Sequence, residues 1–186
     1  PYGDSKATVE RMLEASRERL GLRVTSLRYF NAAGATPDGR LGESHRHETH
    51  LIPLALAAAQ GKRPALKLFG TDYPTRDGTC IRDYIHVLDL AEAHRLALEA
   101  LVGGQSGGVY NVGTGRGTTV REVLASIERV TGMPVPHEDA PRRDGDPPEL
   151  YAQASKIQSQ LQWQPQWTHI DQIVETAAQW AQSPRY

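Results

Sequence analysis

Apolar residues recur at helical spacing over the first twenty positions of the chain. Val9, Met12 and Leu20 share one predicted helix face, and Gly21 follows as a residue suited to a left-handed helix end. Residues 23–30 then alternate between polar and apolar positions, which is typical of a strand. A helix followed directly by a strand indicates an α/β fold.

The pattern continues along the rest of the chain without an internal repeat, a low-complexity tract or a flexible linker. The polar, glycine-rich residues 31–42 predict a loop. Thr119 and Glu122 have the spacing of a capping box, which predicts a helix from there to Gly132. The other predicted helices cover residues 51–60, 87–101, 154–161 and 170–181, and the other predicted strands cover residues 66–69, 108–112 and 135–138.

Tyr2 and Lys6 are the first candidates for chemistry. A helix places residues four apart on one face, so the phenol and the ammonium would be neighbours. A nearby cation stabilises phenolate, which lowers the tyrosine pKa from ~10 and makes the phenol a usable base. The alternative is that both are ordinary surface residues, because this short motif alone is a weak signal.

Composition narrows the classes of protein. The chain has 186 residues with 39% hydrophobic content, enough to bury a core. Its 21 basic and 22 acidic residues give a net charge of −1, so we expect neither nucleic acid nor an anionic membrane as a partner. No apolar run approaches the ~20 residues of a membrane span, and no signal-peptide pattern precedes the first helix. The single cysteine, Cys80, cannot form an internal disulfide and favours a reducing, cytoplasmic setting.

Ligands of α/β proteins bind where strands end at their carboxyl side, and this rule selects Asn31. Its carboxamide can donate to and accept from a sugar or phosphate, although an Asx-turn residue is the alternative. Arg82 and Arg143 can each present paired donors to phosphate oxygens. The alternative for the two arginines is ion pairing with their neighbours Asp83 and Asp144.

Three further features imitate functional sites. His47 and His50 are three residues apart, whereas the helical zinc motif needs four, and Pro53 suggests that the helix begins later; we therefore expect no metal site. The glycines of the 113–117 segment lack the spacing of a dinucleotide fingerprint and predict a tight turn. Cys80 has no activating partner in sequence and is expected to be a small buried residue.

Several blocks together carry a resemblance that covers nearly the whole chain. In chain order the blocks are Tyr2-x-x-x-Lys6, Arg28-Tyr29-Phe30-Asn31-x-x-Gly34-Ala35, Thr49-His50-Leu51-Ile52-Pro53, Phe69-Gly70-x-Asp72-Tyr73-x-Thr75-x-Asp77-Gly78-Thr79, Arg82-Asp83-Tyr84-Ile85-His86-Val87-x-Asp89-Leu90, Tyr110-Asn111-Val112-Gly113 and Arg142-Arg143-x-Gly145-Asp146. With these blocks the chain resembles the UDP-glucose 4-epimerase family of extended short-chain dehydrogenases/reductases.

The resemblance implies the carboxyl-terminal part of a Rossmann-like α/β enzyme. Residues 1–31 would be the last helix-strand unit of the dinucleotide-binding domain. Residues 32–186 would form a smaller mixed α/β domain for the nucleotide sugar, with segments packing back on the cofactor domain. The glycine-rich half that holds NAD would be absent, so we expect the chain alone to be inactive. A homodimer is the expected state of the intact enzyme.

The resemblance also implies an NAD-dependent 4-epimerisation that interconverts UDP-glucose and UDP-galactose through a 4-keto intermediate. Tyr2 would move the proton of the sugar 4-hydroxyl, and Lys6 would lower the tyrosine pKa and contact the nicotinamide ribose, with Phe30 as a further cofactor-binding residue. The residues expected to bind substrate are Asn31, His50, Leu51, Lys67, Leu68, Phe69, Arg82, Tyr84, Val112, Arg143, Asp146 and Leu150.

Within this set, the resemblance puts His50 and Leu51 beside the diphosphate, the backbone of residues 67–69 beside the uracil, and Asp146 on the ribose. Leu150 is intermediate in size at a position that separates hexose-restricted from N-acetyl-tolerant relatives, so we hypothesise some activity on UDP-N-acetylglucosamine, with simple packing as the alternative. Two other functions stay open, a related NAD-dependent nucleotide-sugar dehydratase or decarboxylase, and a non-catalytic nucleotide-sugar-binding module.

Overall fold

A computed structural model describes residues 2–186, with Tyr2 described by its backbone only. Among these residues no helix is long and apolar enough to cross a membrane. The helices are α1 Tyr2–Leu20, α2 Leu51–Ala59, α3 Val87–Val102, α4 Val120–Thr131, α5 Ser155–Leu161 and α6 Ile170–Gln182. The strands are β1 Val24–Tyr29, β2 Asn31–Ala33, β3 Leu66–Phe69, β4 Ile81–His86, β5 Gly107–Val112, β6 Gly117–Thr119, β7 His137–Ala140 and β8 Glu149–Leu150.

The described strands form three small sheets, and most of their pairs are parallel. Strand β1 pairs with β5 and strand β3 pairs with β7, both in parallel. Strand β4 is the hub of the third sheet, since it pairs in parallel with β2 and β8 and antiparallel with β6. Parallel pairs need long crossover connections, and here helices supply them. The α/β prediction is therefore confirmed.

The predicted helices agree with the structure to within two residues, whereas several strands were not predicted. The predicted loop over 31–42 is wrong at its start, because β2 begins at Asn31. Strands β4, β6 and β8 were not predicted, and β7 begins at His137 rather than at position 135. The physical reason is that β2, β6 and β8 are two or three residues long and exist through pairing with β4, which no local pattern encodes.

The core lies on both faces of β4. Tyr84 packs into a cluster with α2, α4 and α6, in which Leu56, Ile127 and Val174 are almost fully buried. The next residue, Ile85, packs into a second cluster with α3, α5 and β5. Successive side chains of a strand point to opposite faces, so one strand serves two cores. Strand β4 thereby fixes the position of every element around it.

Helix α1 stands apart from both clusters. None of its described side chains is buried, and Val9, Met12 and Leu20 are 51%, 64% and 71% exposed. The Glu10 carboxylate pairs with the Arg28 guanidinium of β1, which fastens the helix to that strand. The apolar face that the sequence predicts for α1 therefore lies open in this chain.

Candidate functional site

A cleft of about 510 Å³ opens between the amino end of α2, strand β3, strand β4 and the segment around residues 143–146. All the residues that the sequence assigned to substrate binding line this cleft except Val112 and Leu150. Those that line it are Asn31, His50, Leu51, Lys67, Leu68, Phe69, Arg82, Tyr84, Arg143 and Asp146. Residues separated by more than a hundred positions thus converge on one cavity.

Arg82 is held firmly at the floor of the cleft, with 13% of its side chain exposed. Its guanidinium donates to the carbonyl oxygens of Ile81 at 2.8 Å and Pro147 at 2.9 Å, and to Asp146 Oδ1 at 3.1 Å. The sequence alternative, an ion pair with Asp83, is wrong. Strand alternation sends residues 82 and 83 to opposite faces of β4, so the true acidic partner comes from a distant segment.

Asp83 instead organises the turn at residues 113–117. Its fully buried carboxylate accepts from the Thr114 amide and hydroxyl at 3.0 and 2.6 Å, from the Gly115 amide at 2.9 Å and from the Ala152 amide at 3.1 Å. Gly115 has φ of +73°, a conformation that favours glycine. The predicted tight turn is therefore confirmed, and its amides face a carboxylate of the protein.

Arg143 lies over the Phe69 ring, with its guanidinium carbon 4.0 Å from the ring centroid. The Arg143 carbonyl oxygen accepts from the Asp146 amide at 3.3 Å, and among the described side chains no ion pair joins Arg143 to Asp144, the alternative partner. A guanidinium stacked on an aromatic face keeps its in-plane N–H donors available. The half-buried Phe69 lines the cleft and belongs to neither hydrophobic core cluster, so only the cleft half of the dual role expected from the sequence is seen.

The charge of the cleft differs from that of the chain. Arg63, Lys67, Arg82 and Arg143 line it, and Asp146 is the acidic residue among its lining side chains. The chain as a whole has a net charge of −1, so this excess of cations is local to the cleft. It favours an anionic ligand there. Sequence reasoning missed Arg63, although a basic pair directly after the end of α2 and before β3 was the available signal.

Asn31 is the first residue of β2 and not an Asx-turn residue. Its Nδ2 donates to the Asp83 carbonyl oxygen at 2.8 Å, so the carboxamide bridges β2 and β4 at the edge of the cleft. Tyr84 is buried, and burial raises the pKa of its phenol, which keeps it neutral. Cys80 is buried as predicted, and burial raises the pKa of its thiol.

The amino end of α2 forms one wall of the cleft. His50 is the N-cap residue in an extended conformation, and Leu51 is the first residue of the helix. The first amides of a helix lack partners within the helix and carry partial positive charge. This wall therefore adds to the attraction that the four basic side chains exert on an anion.

The residues expected to serve catalysis and cofactor binding lie on α1 and between β1 and β2. The side chain of Tyr2 lies outside the described residues, and Lys6 is exposed on α1. Phe30 joins β1 to β2, and its amide donates to the Val112 carbonyl oxygen at 3.2 Å. The Val112 side chain is fully buried in the core, so it is not available to a ligand in the cleft. Leu150 is 49% exposed on β8, paired with Arg82 of β4.

Comparison with known proteins assigns this fold to a family. The model of the NAD dependent epimerase/dehydratase family matches residues 1–113, which is more than half of the chain. The chain belongs to this family.

Within that family, the chain is similar to UDP-glucose 4-epimerases. The enzyme of Halalkalibacterium halodurans is 49% identical over 180 residues, which are 97% of this chain and 54% of that protein. A crystal structure of UDP-glucose 4-epimerase from Brucella ovis in complex with NAD has 49% identity and a TM-score of 0.93, covering 97% of this chain and 56% of that one. The Bifidobacterium longum enzyme in complex with NAD+ and UDP has 36% identity and a TM-score of 0.91, covering 99% and 55%.

The chain therefore spans about half the length of the relatives it matches. Its fold is that of the corresponding part of an extended short-chain dehydrogenase/reductase, with the sheet pairs and helices described above.

Proposed function

We propose that the protein containing this chain interconverts UDP-glucose and UDP-galactose by NAD-dependent epimerisation at C4, and that this chain carries the nucleotide-sugar site. The observation that carries the proposal is the cleft, in which four basic side chains surround a single carboxylate on a chain without excess positive charge. A diphosphate is the anion that such a set of guanidinium groups grips well. The names of the relatives agree with this ligand.

Each part of the nucleotide has a matching surface in the cleft. Arg82 and Arg143 hold the diphosphate, with the amino end of α2 beside them. Strand β3 pairs with β7 along one edge. Its other edge would offer the backbone donors and acceptors of residues 67–69 to the uracil, as edge strands do. Asp146 has one carboxylate oxygen bound to Arg82, so its second oxygen would accept from a ribose hydroxyl.

The chemical step belongs to the amino-terminal helix in this proposal. Helix α1 sets Tyr2 and Lys6 four residues apart, so both occupy one helix face, and Lys6 is exposed to a ligand. Lys6 stabilises the phenolate of Tyr2, which takes the proton from the 4-hydroxyl and later returns it. NAD, when bound, accepts and returns the hydride. Residues 1–31 would complete the dinucleotide domain and residues 32–186 would hold the sugar nucleotide, with Phe30 at the boundary.

Product analysis tests this activity directly. The protein that contains this chain should convert UDP-galactose to UDP-glucose with NAD and without loss of water or carbon dioxide. Tyr2→Phe should abolish turnover while UDP still binds, because the substitution removes the phenol hydroxyl and leaves every described residue that lines the cleft unchanged. A product that has lost water or carbon dioxide would favour a dehydratase or a decarboxylase instead. Conversion at the wild-type rate by Tyr2→Phe would remove Tyr2 from the mechanism.

A nucleotide-sugar-binding module is the second candidate. The observation in its favour is that this chain by itself forms a cleft lined by the basic residues. Calorimetric titration of the chain with UDP and with NAD shows whether it binds nucleotide unaided, and a turnover assay of the longer protein separates the two candidates. A module binds UDP and supports no turnover even in the longer protein, whereas an epimerase gains activity there. We expect the isolated chain to be inactive in either case, and turnover by the isolated chain would contradict that expectation.

Leu150 bears on substrate breadth. It does not line the cleft, but it is half-exposed on β8 and pairs with Arg82, which does line it, so a larger side chain there would extend towards the bound sugar in this proposal. We predict that Leu150→Tyr lowers the rate on UDP-N-acetylglucosamine and leaves the rate on UDP-galactose nearly unchanged. Steady-state kinetics on both substrates measure this, and equal rates for variant and wild type on the N-acetylated sugar would reject it.

A further inference from the structure

Four side chains from the segment between β2 and α2 converge beside the cleft. One ligand atom each from Glu43, His45, Glu48 and His50 lies within 4.8 Å of all the others. We propose that these four residues form a binding site for a divalent transition-metal ion, with zinc as the ion that fits best. The sequence argument against a metal considered a helical pair that included His47, whereas this set is non-helical and excludes His47.

Three of the four separations are close to those around a tetrahedral ion, and the fourth, between His50 and Glu43, has to widen. His45 Nδ1 lies 3.2 Å from a carboxylate oxygen of Glu43 and 3.2 Å from one of Glu48. His50 Nδ1 contacts Glu43 and lies 3.7 Å from Glu48 Oε1. Ligand atoms about 2.1 Å from a tetrahedral zinc lie about 3.4 Å from one another. Small side-chain rotations therefore suffice to place all four atoms around one ion.

The charges also call for a cation. Each neutral imidazole carries one N–H, so His45 Nδ1 cannot donate fully to both carboxylates that it approaches. With neutral histidines the cluster holds two carboxylates and a charge of about −2. A divalent ion neutralises this charge and takes both Nδ1 lone pairs, while the ring protons move to Nε2. No proton has to leave the site in that step.

Hydrogen bonds from other parts of the chain hold two of the ligands, Glu48 and Glu43, in place. Glu48 Oε1 accepts from the amides of Thr49 and His50, both at 2.7 Å, which orients the Glu48 carboxylate. The Glu43 carbonyl oxygen accepts from Trp180 Nε1 of α6 at 2.8 Å, which ties this residue to the core. Hydrogen bonds of this kind around metal ligands fix their orientation and raise affinity.

The donor set selects the ion. Two imidazole nitrogens and two carboxylate oxygens suit zinc, cobalt, nickel and copper, whereas magnesium and calcium prefer oxygen ligands alone. Half of each imidazole is exposed, with side-chain exposures of 49% for His45 and 59% for His50, so an ion has access from solvent. Zinc has no geometric preference of its own and accepts the arrangement that the protein offers.

The test is metal binding by chelator-treated protein that carries no histidine tag. Titration with Co²⁺ should produce visible d–d bands of a four-coordinate site and saturate at one equivalent, and Zn²⁺ should displace the Co²⁺. His45→Gln should weaken Zn²⁺ binding at least tenfold. Losing a hydrogen-bond partner of a metal ligand already lowers metal affinity ~10–100-fold, and losing the ligand itself should cost no less. His47→Gln is the matched control from the same segment and should bind as wild type.

A second variant guards against misfolding of the first. Glu43→Gln keeps the shape and the Trp180 contact through its backbone, removes one charge, and should also weaken Zn²⁺ binding at least tenfold. Far-ultraviolet circular dichroism confirms that each variant is folded. Absence of saturable Co²⁺ bands in the wild type overturns the proposal. Equal affinities for His47→Gln and the two ligand variants would also overturn it.

Discussion

The neighbouring residues Arg82 and Asp83 perform different tasks because a strand turns one to each face. Arg82 faces the cleft and Asp83 faces the turn at residues 113–117. The sequence placed the two together as a possible ion pair, and only the strand assignment of β4 could have separated them. The pairing of Arg82 with Asp146 joins residues 64 positions apart, which no local pattern encodes.

Arg143 provides a prediction at the residue scale. We expect Arg143→Ala to weaken UDP binding about 10–150-fold, since a hydrogen bond to a charged group contributes roughly 1.5–3 kcal/mol. Arg143→Lys should restore only part of this, because an ammonium neither stacks on Phe69 in the same way nor presents paired donors. Calorimetric titration with UDP measures both. Arg95→Ala, on the exposed face of α3, is the control.

Asp83 provides a second prediction. Asp83→Asn should lower the free energy of unfolding by about 2–3 kcal/mol, because an amide nitrogen cannot accept from the backbone amides that now bond to both carboxylate oxygens. Urea unfolding at neutral pH measures the change. Asp144→Asn in an exposed loop should stay within about 0.5 kcal/mol of wild type. A similar loss in both variants would contradict the assigned role of Asp83.

Elements differ in how far their own sequence predicts them. Helices α2 to α6 follow from apolar periodicity together with end signals, such as Gly132 in a left-handed conformation after α4. Strand β4 was hidden because it carries Arg82, Asp83 and His86 among its apolar residues. The polar side chains of β4 form hydrogen bonds with other segments of the chain, and almost every position of the strand is buried. The strand therefore lacks the alternation of buried and exposed positions that identifies a surface strand.

The same contrast holds for the site. The residues lining the cleft were found through resemblance of whole blocks, while the residues alone supported only an arginine pair and Asn31. Arg63 was missed because it contributes through its position after α2 rather than through a motif. The convergence of Glu43, His45, Glu48 and His50 depends on the path of an irregular segment, which propensities do not specify.

The capping box of α4 provides a prediction at the element scale. Thr119 Oγ1 accepts from the Glu122 amide at 3.1 Å, and Glu122 Oε2 accepts from the Thr119 amide at 2.8 Å. Thr119→Ala should lower the free energy of unfolding by about 1–2 kcal/mol. Thr119→Ser keeps the hydroxyl and should lose much less. Chemical denaturation compares them, and equal losses would mean that the hydroxyl is not what stabilises the helix start.

At the scale of the whole molecule, His86 links stability to pH. It is fully buried against Trp167, with ring centroids 4.2 Å apart, and its Nδ1 accepts from the Leu88 amide at 3.2 Å. Burial lowers the pKa of His86 from 6.5 to about 4. The unfolded chain therefore binds a proton at a pH where the folded chain does not. Stability is fully present above the unfolded pKa and falls as the pH drops towards 4.

We expect the free energy of unfolding to fall by about 2 kcal/mol between pH 7 and pH 5 on account of His86. His86→Gln should reduce the pH dependence by this amount, whatever its stability at pH 7. His94→Gln on the exposed side of α3 should leave the dependence as in wild type. Urea titrations of the three proteins at both pH values measure it, and an unchanged dependence in His86→Gln would exclude this histidine as the cause.

Helix α6 and the residues that follow it also contact the segment between β2 and α2. Trp180 lies against Gly42, where an added Cβ would stand 2.2 Å from the indole, and the Tyr186 hydroxyl bonds to both the amide and the carbonyl of Gly42. Trp180 and Tyr186 thus hold in place the segment that runs from Gly42 to His50, which lines the cleft. Removing residues 183–186 would free the segment at Gly42, 144 positions away in sequence, and alter ligand-binding measurements made on the cleft.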